Sequence, residues 1–272
     1  RSRRQRQMCI RDRNLINIEP DDKVKAFICT QDLKNEDYIN QHYVIMCTKK
    51  GQVKKTSLEQ YSRPRSNGIN AITIKDDDEL LEAKLTNGNS QILVSVKSGK
   101  CIRFEENKTR PMGRNASGVR GVRLKDNNDE VIGMISVNDM DSDILVVSEN
   151  GYGKRSKLED YRITNRGGKG VKTISITEKT GNLVSLKNVS DGDDLMIINK
   201  SGIAIRMEVK DLRVMGRATQ GVKLINIKDN DSIAAVAKVV LDDQEVTDID
   251  EIDVCLLYTS PSPRDVEESR MP

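Results

Sequence analysis

Clusters of arginine and lysine beside glycine are the groups in this 272-residue chain best suited to chemistry. The densest cluster is Arg166-Gly167-Gly168-Lys169-Gly170, in which three glycines accompany two cations. Glycine lets backbone N–H groups approach an anion closely, and arginine and lysine add charge-assisted hydrogen bonds to phosphate oxygens. The sequence therefore predicts a phosphate-binding loop at this segment.

Similar cations surround an equivalent glycine at three other places in the chain. The further cations that we predict to bind a polyanion are Arg63, Arg65, Arg114, Arg120, Arg162, Lys172, Arg217 and Lys223. At each of the two places nearest the N-terminus, taken singly, a turn-forming glycine with solvated cations explains the residues as well as a binding site does. The prediction therefore depends on the recurrence of the pattern.

These loops belong to four sequence repeats, at residues 43–90, 91–142, 143–193 and 194–239. Each repeat opens with a continuous apolar run that ends at a hairpin glycine: Gly51, Gly99, Gly151 and Gly202. A second glycine follows within the basic cluster: Gly68, Gly118, Gly170 and Gly221. A further strand is predicted after this glycine, and then an acidic or Asn-rich turn and a final strand such as Val131–Val137.

Four strands in about 50 residues are typical of one blade of a propeller-like array. The sequence therefore predicts an all-β fold of four complete blades. Continuous apolar runs also predict first strands that are buried on both faces. Equivalent loops of stacked blades lie along one edge, so the recurring cations are expected to form a basic belt.

A basic belt suits a long polyanion, and the composition narrows the choice of polyanion. Aromatic residues make up only 3% of the chain, and Trp is absent, so few side chains could stack on the bases of a single strand. No helix-turn-helix or zinc module is present to read base edges. The sequence therefore favours duplex DNA that is bound through its backbone and bent.

The sequence offers little for covalent or metal chemistry. It has one His, and Cys29, Cys47 and Cys101 stand singly without the spacing of a metal site, as is typical of reduced cysteines in the cytoplasm. Tyr61 and Tyr161 occupy the same place in two repeats, so we interpret them as packing or turn residues. We predict no catalytic residue and no metal ligand.

The segments that flank the repeats differ from them. Residues 14–28 match the last third of a repeat, which predicts the end of a truncated upstream blade, and residues 29–42 are a polar connection. The repeat region 14–239 has a net charge of +6, whereas residues 240–254 hold seven acidic residues and no basic one. We predict a solvated acidic tail that could compete with DNA for the basic belt.

The two ends of the chain, residues 1–13 and 255–272, have no periodic pattern. Met8–Asp12 and Cys255–Thr259 can be encoded by one DNA sequence and its reverse complement, as an adapter joined to both ends of a DNA fragment would be. We therefore expect both ends to be adapter-derived, not native. No stretch approaches the roughly 18 apolar residues of a membrane-spanning helix, so no membrane partner is predicted.

The repeats resemble the C-terminal β-pinwheel of the bacterial DNA gyrase A protein and, less closely, that of topoisomerase IV. In this family the basic perimeter of a disc wraps duplex DNA, and a motif called the gyrase-A box, Gln-Arg-Arg-Gly-Gly-Lys-Gly, is required for chiral wrapping and ATP-driven negative supercoiling. The last five box positions fall on residues 166–170. Thr164 and Asn165 replace the first two, and the box lies in the third complete repeat, whereas in the family it usually lies in the first blade.

The resemblance implies partners and cofactors for the intact enzyme. The partners are duplex DNA, the rest of the gyrase A protein, and the gyrase B ATPase in a heterotetramer; the chain itself needs no cofactor, while the enzyme uses ATP and Mg. Two other functions stay open: the relaxation and decatenation of a topoisomerase IV, and a propeller scaffold for protein partners. The scaffold is disfavoured because the aromatic signatures of such propellers are missing, and an enzyme site in a central channel would need converging carboxylates or His.

Overall fold

The computed structural model describes residues 23–63, 68–227 and 231–240. The strands are β1 Tyr43–Thr48, β2 Gln52–Ser57, β3 Leu80–Thr86, β4 Gln91–Val96, β5 Lys100–Glu105, β6 Val119–Arg120, β7 Val131–Val137, β8 Asp143–Ser148, β9 Tyr152–Lys157, β10 Val171–Lys172, β11 Leu183–Val189, β12 Asp193–Asn199, β13 Ala204–Glu208, β14 Val222–Lys223 and β15 Ile233–Val240. The helix α1 spans Glu36–Gln41, and 3₁₀ turns span Leu58–Tyr61, Glu106–Lys108, Leu158–Asp160 and Val209–Asp211. Apart from α1 and these 3₁₀ turns, the regular secondary structure of the described residues is all β, as predicted.

Each repeat opens with the predicted antiparallel hairpin: β1 with β2, β4 with β5, β8 with β9 and β12 with β13. The hairpin glycines have a φ of +82° at Gly51 and +79° at Gly99, which glycine adopts without a steric cost. β4 and β8 are buried along nearly their whole length, which confirms first strands covered on both faces.

A longer strand pairs with the other side of each first strand, and β7 has the predicted bounds Val131–Val137. The turn before it is fastened to the hairpin by a carboxylate. Asp129 accepts hydrogen bonds from the backbone N–H of Ser98 at 3.0 Å and from its hydroxyl at 2.8 Å. The acidic turns that the sequence shows in other repeats do the same, since Asp78 and Asp231 each accept from a hairpin N–H.

Three of the four described sheets take their fourth strand from the following repeat. The strand orders are β3-β1-β2-β6, β10-β5-β4-β7, β11-β8-β9-β14 and β13-β12-β15. The short strand after the second glycine therefore crosses to the preceding blade, so the blades do not coincide with the repeat ranges 43–90, 91–142 and 143–193. The last sheet has three strands among the described residues.

Glycine makes this strand exchange possible. A Cβ atom on Gly118, Gly170 or Gly221 would lie only 2.5–2.7 Å from a carbonyl oxygen of the preceding blade, and all three residues have a positive φ. At Gly68, by contrast, a Cβ would meet nothing within 4 Å. The further strand predicted after the second glycine is absent in the first repeat: residues 69–74 form no strand, and the described residues contain no preceding hairpin with which they could pair.

The hydrophobic core lies between consecutive sheets. Ile45 and Cys47 of β1 pack against Ile92 and Val94 of β4, and the same layering recurs between β4 and β8 and between β8 and β12. Alternate residues of one first strand thus face opposite neighbours, which explains why these strands are apolar throughout.

A buried cation on each of the first two hairpins ties its blade to the next repeat. The ammonium of Lys55 contacts the Glu106 carboxylate at 2.8 Å, and both side chains are buried. The guanidinium of Arg103 donates to the carbonyls of Leu158 and Tyr161 at 2.7 and 2.9 Å. Both cations therefore fasten the 3₁₀ turn of the repeat that follows.

The described residues before β1 differ from the prediction. Residues 23–28, expected to end an upstream blade, form no strand, because the described chain holds no first strand beside them. The predicted polar connection 29–42 contains α1, which Asn35 caps by accepting a hydrogen bond from the N–H of Tyr38 at 3.1 Å. The predicted adapter-derived ends, residues 14–22, Arg65 and the acidic tail lie outside the described residues, apart from Val240 in β15.

Candidate nucleic-acid interface

The predicted cations of the second, third and fourth repeats lie in the loops that lead into the exchanged strands. We call residues 110–123, 162–172 and 213–223 the basic loops of the second, third and fourth repeats. Their strands β6, β10 and β14 form one edge of three sheets, and β3, β7 and β11 form the opposite edge. Strand exchange therefore places the basic loops of successive repeats on equivalent edges of successive blades.

The Gly-rich segment of the third repeat is held against the basic loop before it. The guanidinium of Arg166 donates from Nε to the carbonyl of Lys108 at 2.9 Å and from Nη1 to the carbonyl of Arg120 at 3.2 Å. Gly168 accepts a hydrogen bond from the N–H of Arg123 at 2.8 Å. Arg166 thus ties two basic loops together, a positioning role that the sequence did not indicate.

The rest of the segment is open to solvent or to a ligand. The Lys169 side chain is exposed, and the backbone N–H groups of Gly168 and Lys169 donate to no described residue. Gly167 and Gly170 have φ values of +80° and +71°, which few other residues tolerate. The segment thus combines free N–H groups with a cation, the arrangement expected of an anion site.

The same link recurs one repeat later. Nη1 of Arg217 donates to the carbonyl of Lys172 at 2.9 Å. Arg217 precedes the second glycine of its repeat by the same number of residues as Arg166 does, so the two arginines are equivalent. Lys172 and Arg120 are equivalent in the same way, because each follows the second glycine of its repeat by the same number of residues. Each arginine therefore donates a hydrogen bond to the backbone carbonyl of a cationic residue in the preceding loop. In this way the basic loops of the second, third and fourth repeats are joined in series.

Most of the predicted cations are free to bind an anion. Exposed side chains belong to Arg63, Arg120, Arg162, Lys169, Lys172 and Lys223, whereas Arg114, Arg166 and Arg217 are half-buried. None of these nine forms an ion pair with another described residue. Arg63 lies just after the 3₁₀ turn Leu58–Tyr61, outside the three basic loops in sequence, but it lines one surface cavity together with Arg114 of the second repeat's basic loop.

Two buried lysines that were not predicted lie beneath the basic loops. The ammonium of Lys54 donates to the carbonyls of Ala71, at 2.7 Å, and Arg114. The ammonium of Lys154 donates to the carbonyls of Gly216 at 2.8 Å, Arg217 and Thr219. The two side chains are 0% and 1% exposed.

Burial lowers the pKa of each lysine to about 8. For Lys54 the charge of Arg114 is a second, smaller cause of this lowering. For Lys154, Asp160 acts in the opposite direction, and Arg217 and Lys172 act with burial. Both groups therefore titrate closer to neutrality than ordinary lysines do.

The equivalent residue beneath the Gly-rich segment is apolar. Ile102 takes this place in β5, and a Cβ on Gly168 would lie 3.4 Å from its side chain. A sequence signal for the lysines exists: each stands three residues after its hairpin glycine, where the second repeat has an isoleucine. A position that accepts both lysine and isoleucine is typical of a buried site.

The two predicted packing tyrosines and two of the cysteines are buried or half-buried. Tyr161 is fully buried, with its hydroxyl 2.5 Å from that of Thr173, and burial raises its pKa. Tyr61 is half-buried and donates to the carbonyl of Ala71 at 3.2 Å. Cys47 and Cys101 are free and buried, and burial raises the pKa of Cys101 to about 12. These contacts agree with packing roles.

The described residues offer neither a metal centre nor a membrane-spanning helix. No cluster of three or more His, Cys, Asp or Glu side chains among them is arranged to hold a metal ion. Nor is any helix there both long and apolar enough to cross a membrane.

The fold and the basic edge define a class: proteins built from strand-exchanged, propeller-like blades whose equivalent loops carry cations. The model of the family described as "DNA gyrase C-terminal domain, beta-propeller" matches residues 42–87, 97–138, 142–190 and 193–239. The chain is 43% identical over 240 residues to the DNA gyrase A proteins of Staphylococcus aureus strains NCTC 8325 and COL, covering 88% of this chain and 26% of each relative. It therefore spans about a quarter of the length of these relatives.

Solved structures share the fold. A DNA gyrase A C-terminal domain superposes with a TM-score of 0.72 at 24% identity, covering 84% of this chain and 74% of that one. The C-terminal domain of a DNA topoisomerase IV superposes with a TM-score of 0.71 at 24% identity, covering 76% and 64%. This chain belongs to the family of DNA gyrase C-terminal domains, as its repeats and Gly-rich segment predicted.

Proposed function

We propose that this chain wraps duplex DNA along its basic edge and thereby supports ATP-dependent negative supercoiling by an intact DNA gyrase. The observation that carries the proposal is the serial link between basic loops, in which Arg166 and Arg217 each fasten to the preceding loop. Together with the strand exchange, which sets the basic loops on equivalent sheet edges, this link supports a continuous path of exposed cations. A duplex that follows this edge meets cations from each blade in turn, and backbone neutralisation supplies sequence-independent affinity.

The composition of the basic loops supports duplex over single-stranded DNA. No Phe, Tyr or Trp occurs in residues 110–123, 162–172 or 213–223, so these loops offer no stacking surface for unpaired bases. Their groups are arginine, lysine and free backbone N–H, which bind phosphates without reading sequence.

The partners follow from the relatives, which are gyrase A proteins. In the proposed enzyme this chain acts with the rest of the gyrase A protein and with the gyrase B ATPase, in the cytoplasm. ATP and Mg belong to those other parts. The chain's own contribution is to bind and bend DNA.

The salt dependence of duplex binding tests the proposal. Neutralising about eight phosphates would give a slope near −7 when log K is plotted against log salt concentration. Lys169→Ala should reduce the magnitude of the slope by about 0.9, since it removes one exposed cation that forms no hydrogen bond or ion pair with a described residue. Lys187→Ala on β11, at the opposite sheet edge, is the matched control and should leave the slope unchanged. A slope near zero for the wild-type chain would exclude wrapping.

A topological assay separates wrapping from binding. Nicked circular DNA is sealed by ligase in the presence of the chain, and a shift in the distribution of topoisomers reports the wrapped path. The double variant Arg166→Ala/Lys169→Ala should lose most of this shift while retaining some affinity, because Arg166 also positions the loop. An unchanged shift in the double variant would show that the Gly-rich segment does not direct wrapping.

A further inference from the structure

The buried lysines Lys54 and Lys154 have a geometry that the proposed function does not yet use. Each ammonium joins carbonyl oxygens that include those of the next repeat's basic loop: Lys54 binds Ala71 of its own repeat and Arg114 of the next, and Lys154 binds Gly216, Arg217 and Thr219. Carbonyl oxygens that converge in this way repel one another unless a cation lies between them. The path of the loop backbone therefore depends on the ammonium.

The arginine of each loop is the residue most directly affected. The carbonyl of Arg217 is bound by Lys154, and its guanidinium is bound to the carbonyl of Lys172. A loop that turned its carbonyls outward would carry the arginine side chain with it. The N–H of Arg114 is similarly held, at 3.1 Å from the amide oxygen of Gln60, while its carbonyl accepts from Lys54.

We propose that Lys54 and Lys154 are positioning residues for DNA binding, which hold the basic loops of the second and fourth repeats so that Arg114 and Arg217 face the duplex. This inference rests on the proposed function. The basic loop of the third repeat is held differently, by Arg166 and above Ile102, and does not depend on a buried lysine.

The first test is a double-mutant cycle on duplex affinity with a short linear duplex of about 30 base pairs. Lys154→Ile gives the third blade the residue that the second blade already has, which keeps the substitution compatible with this fold. It should weaken binding about fivefold to tenfold and reduce the magnitude of the salt slope by about 1, as loss of one phosphate contact would. Arg217→Ala should have a similar effect alone and add little to Lys154→Ile, because the lysine acts through the arginine. Fully additive losses would overturn the inference.

The second test uses pH and separates positioning from stability. Both lysines lose their charge near pH 8, so affinity should fall between about pH 7 and about pH 9, where ordinary lysines and arginines stay charged. The charged groups that face them are Arg114 for Lys54, and Asp160, Arg217 and Lys172 for Lys154; the hydroxyl of Tyr61 shares the Ala71 carbonyl with Lys54. The fall should be absent from the double variant Lys54→Met/Lys154→Ile.

Folding stability should change in the opposite direction over the same range. The pKa of each lysine is lower in the folded chain than in the unfolded chain, so the unfolded state binds more protons above pH 8, and resistance to urea should rise with pH. Unfolding therefore cannot account for a loss of affinity. Lys169→Ala, in the loop without a buried lysine, should reduce affinity by the same factor at both pH values.

The outcomes distinguish the two proposals. If the wild-type chain does not bind duplex DNA at all, the proposed function fails. If it binds with a steep salt dependence but affinity is the same at both pH values and in Lys154→Ile, the proposed function stands and the positioning role of the lysines is wrong. If Lys154→Ile proves unstable to urea, the pH measurement on the wild-type chain and on Lys54→Met decides.

Discussion

Exchange of strands between blades predicts that equivalent glycines differ sharply in their tolerance of a side chain. Gly118 and Gly68 occupy the same place in consecutive repeats and have φ values of +90° and +74°. A Cβ on Gly118 would lie 2.7 Å from the carbonyl oxygen of Val53, whereas a Cβ on Gly68 would meet nothing within 4 Å. Gly118→Ala and Gly68→Ala therefore share the cost of a left-handed backbone and differ in the clash.

The expected losses of stability follow from these contacts. The left-handed conformation costs each alanine about 1–2 kcal/mol. At residue 118 the clash is with backbone, so β6 must move away from β2 and its pairing at Val53 and Gln52 is disturbed. Losing about two hydrogen bonds costs about 2 kcal/mol, and partial exposure of the buried Val122 adds about 1 kcal/mol. We expect a loss of about 4–5 kcal/mol for Gly118→Ala and about 1–2 kcal/mol for Gly68→Ala.

Equilibrium unfolding in urea, followed by circular dichroism, measures both losses. Because the substitution is the same, its effect on the entropy of the unfolded chain cancels in the comparison. Hydrogen exchange should also show faster exchange in β2 and β6 for Gly118→Ala alone. Equal losses of stability in the two variants would refute the close approach of the exchanged strand.

Three other outcomes are expected. Tyr161→Phe removes a buried hydroxyl bonded to Thr173 and should lower the free energy of unfolding by about 1–2 kcal/mol; Tyr161→Phe combined with Thr173→Val should recover part of this loss in urea titrations. Among the three cysteines of the described residues, only the exposed Cys29 should react with a thiol reagent in the folded chain, once Cys9 and Cys255 are replaced by serine, and rapid labelling of Cys47 would contradict its burial. Deleting residues 241–253 should raise duplex affinity at low salt, since it removes seven acidic residues, and an unchanged dissociation constant would remove the proposed competition by the tail.

Local features of the fold could be predicted from the sequence. The hairpin glycines, the doubly buried first strands and the strand Val131–Val137 follow from residue types within a few positions of one another. The exchange of the fourth strand could not be predicted in this way, because the partner that makes Gly118 necessary is Val53, in the preceding repeat. Repetition locates the glycine but does not say which neighbouring hairpin it approaches.

The same distinction between local features and contacts across repeats applies to the candidate site. Recurrent cations identified the basic loops, yet by sequence alone every cation is a possible DNA contact. Arg166 and Arg217 prove also to fasten one loop to another, and Lys54 and Lys154 are buried beneath the loops. The type of a cation does not show whether it binds backbone carbonyls or is solvated; for Lys54 and Lys154 only a comparison with Ile102 at the equivalent position of the second repeat gives a signal.

Exposed cations and cations that bind backbone carbonyls together explain how separate loops could act together in the proposed binding of DNA. Bending 20–30 base pairs costs about 1–6 kcal/mol, more than a single exposed lysine contributes, so phosphate contacts from several blades have to form at once. Strand exchange places each basic loop against the preceding blade, and Arg166 and Arg217 then fix its distance from the loop before it. The contacts that stack the blades therefore also set the spacing of the cations, so a change that loosens one blade should weaken DNA binding at its neighbour as well.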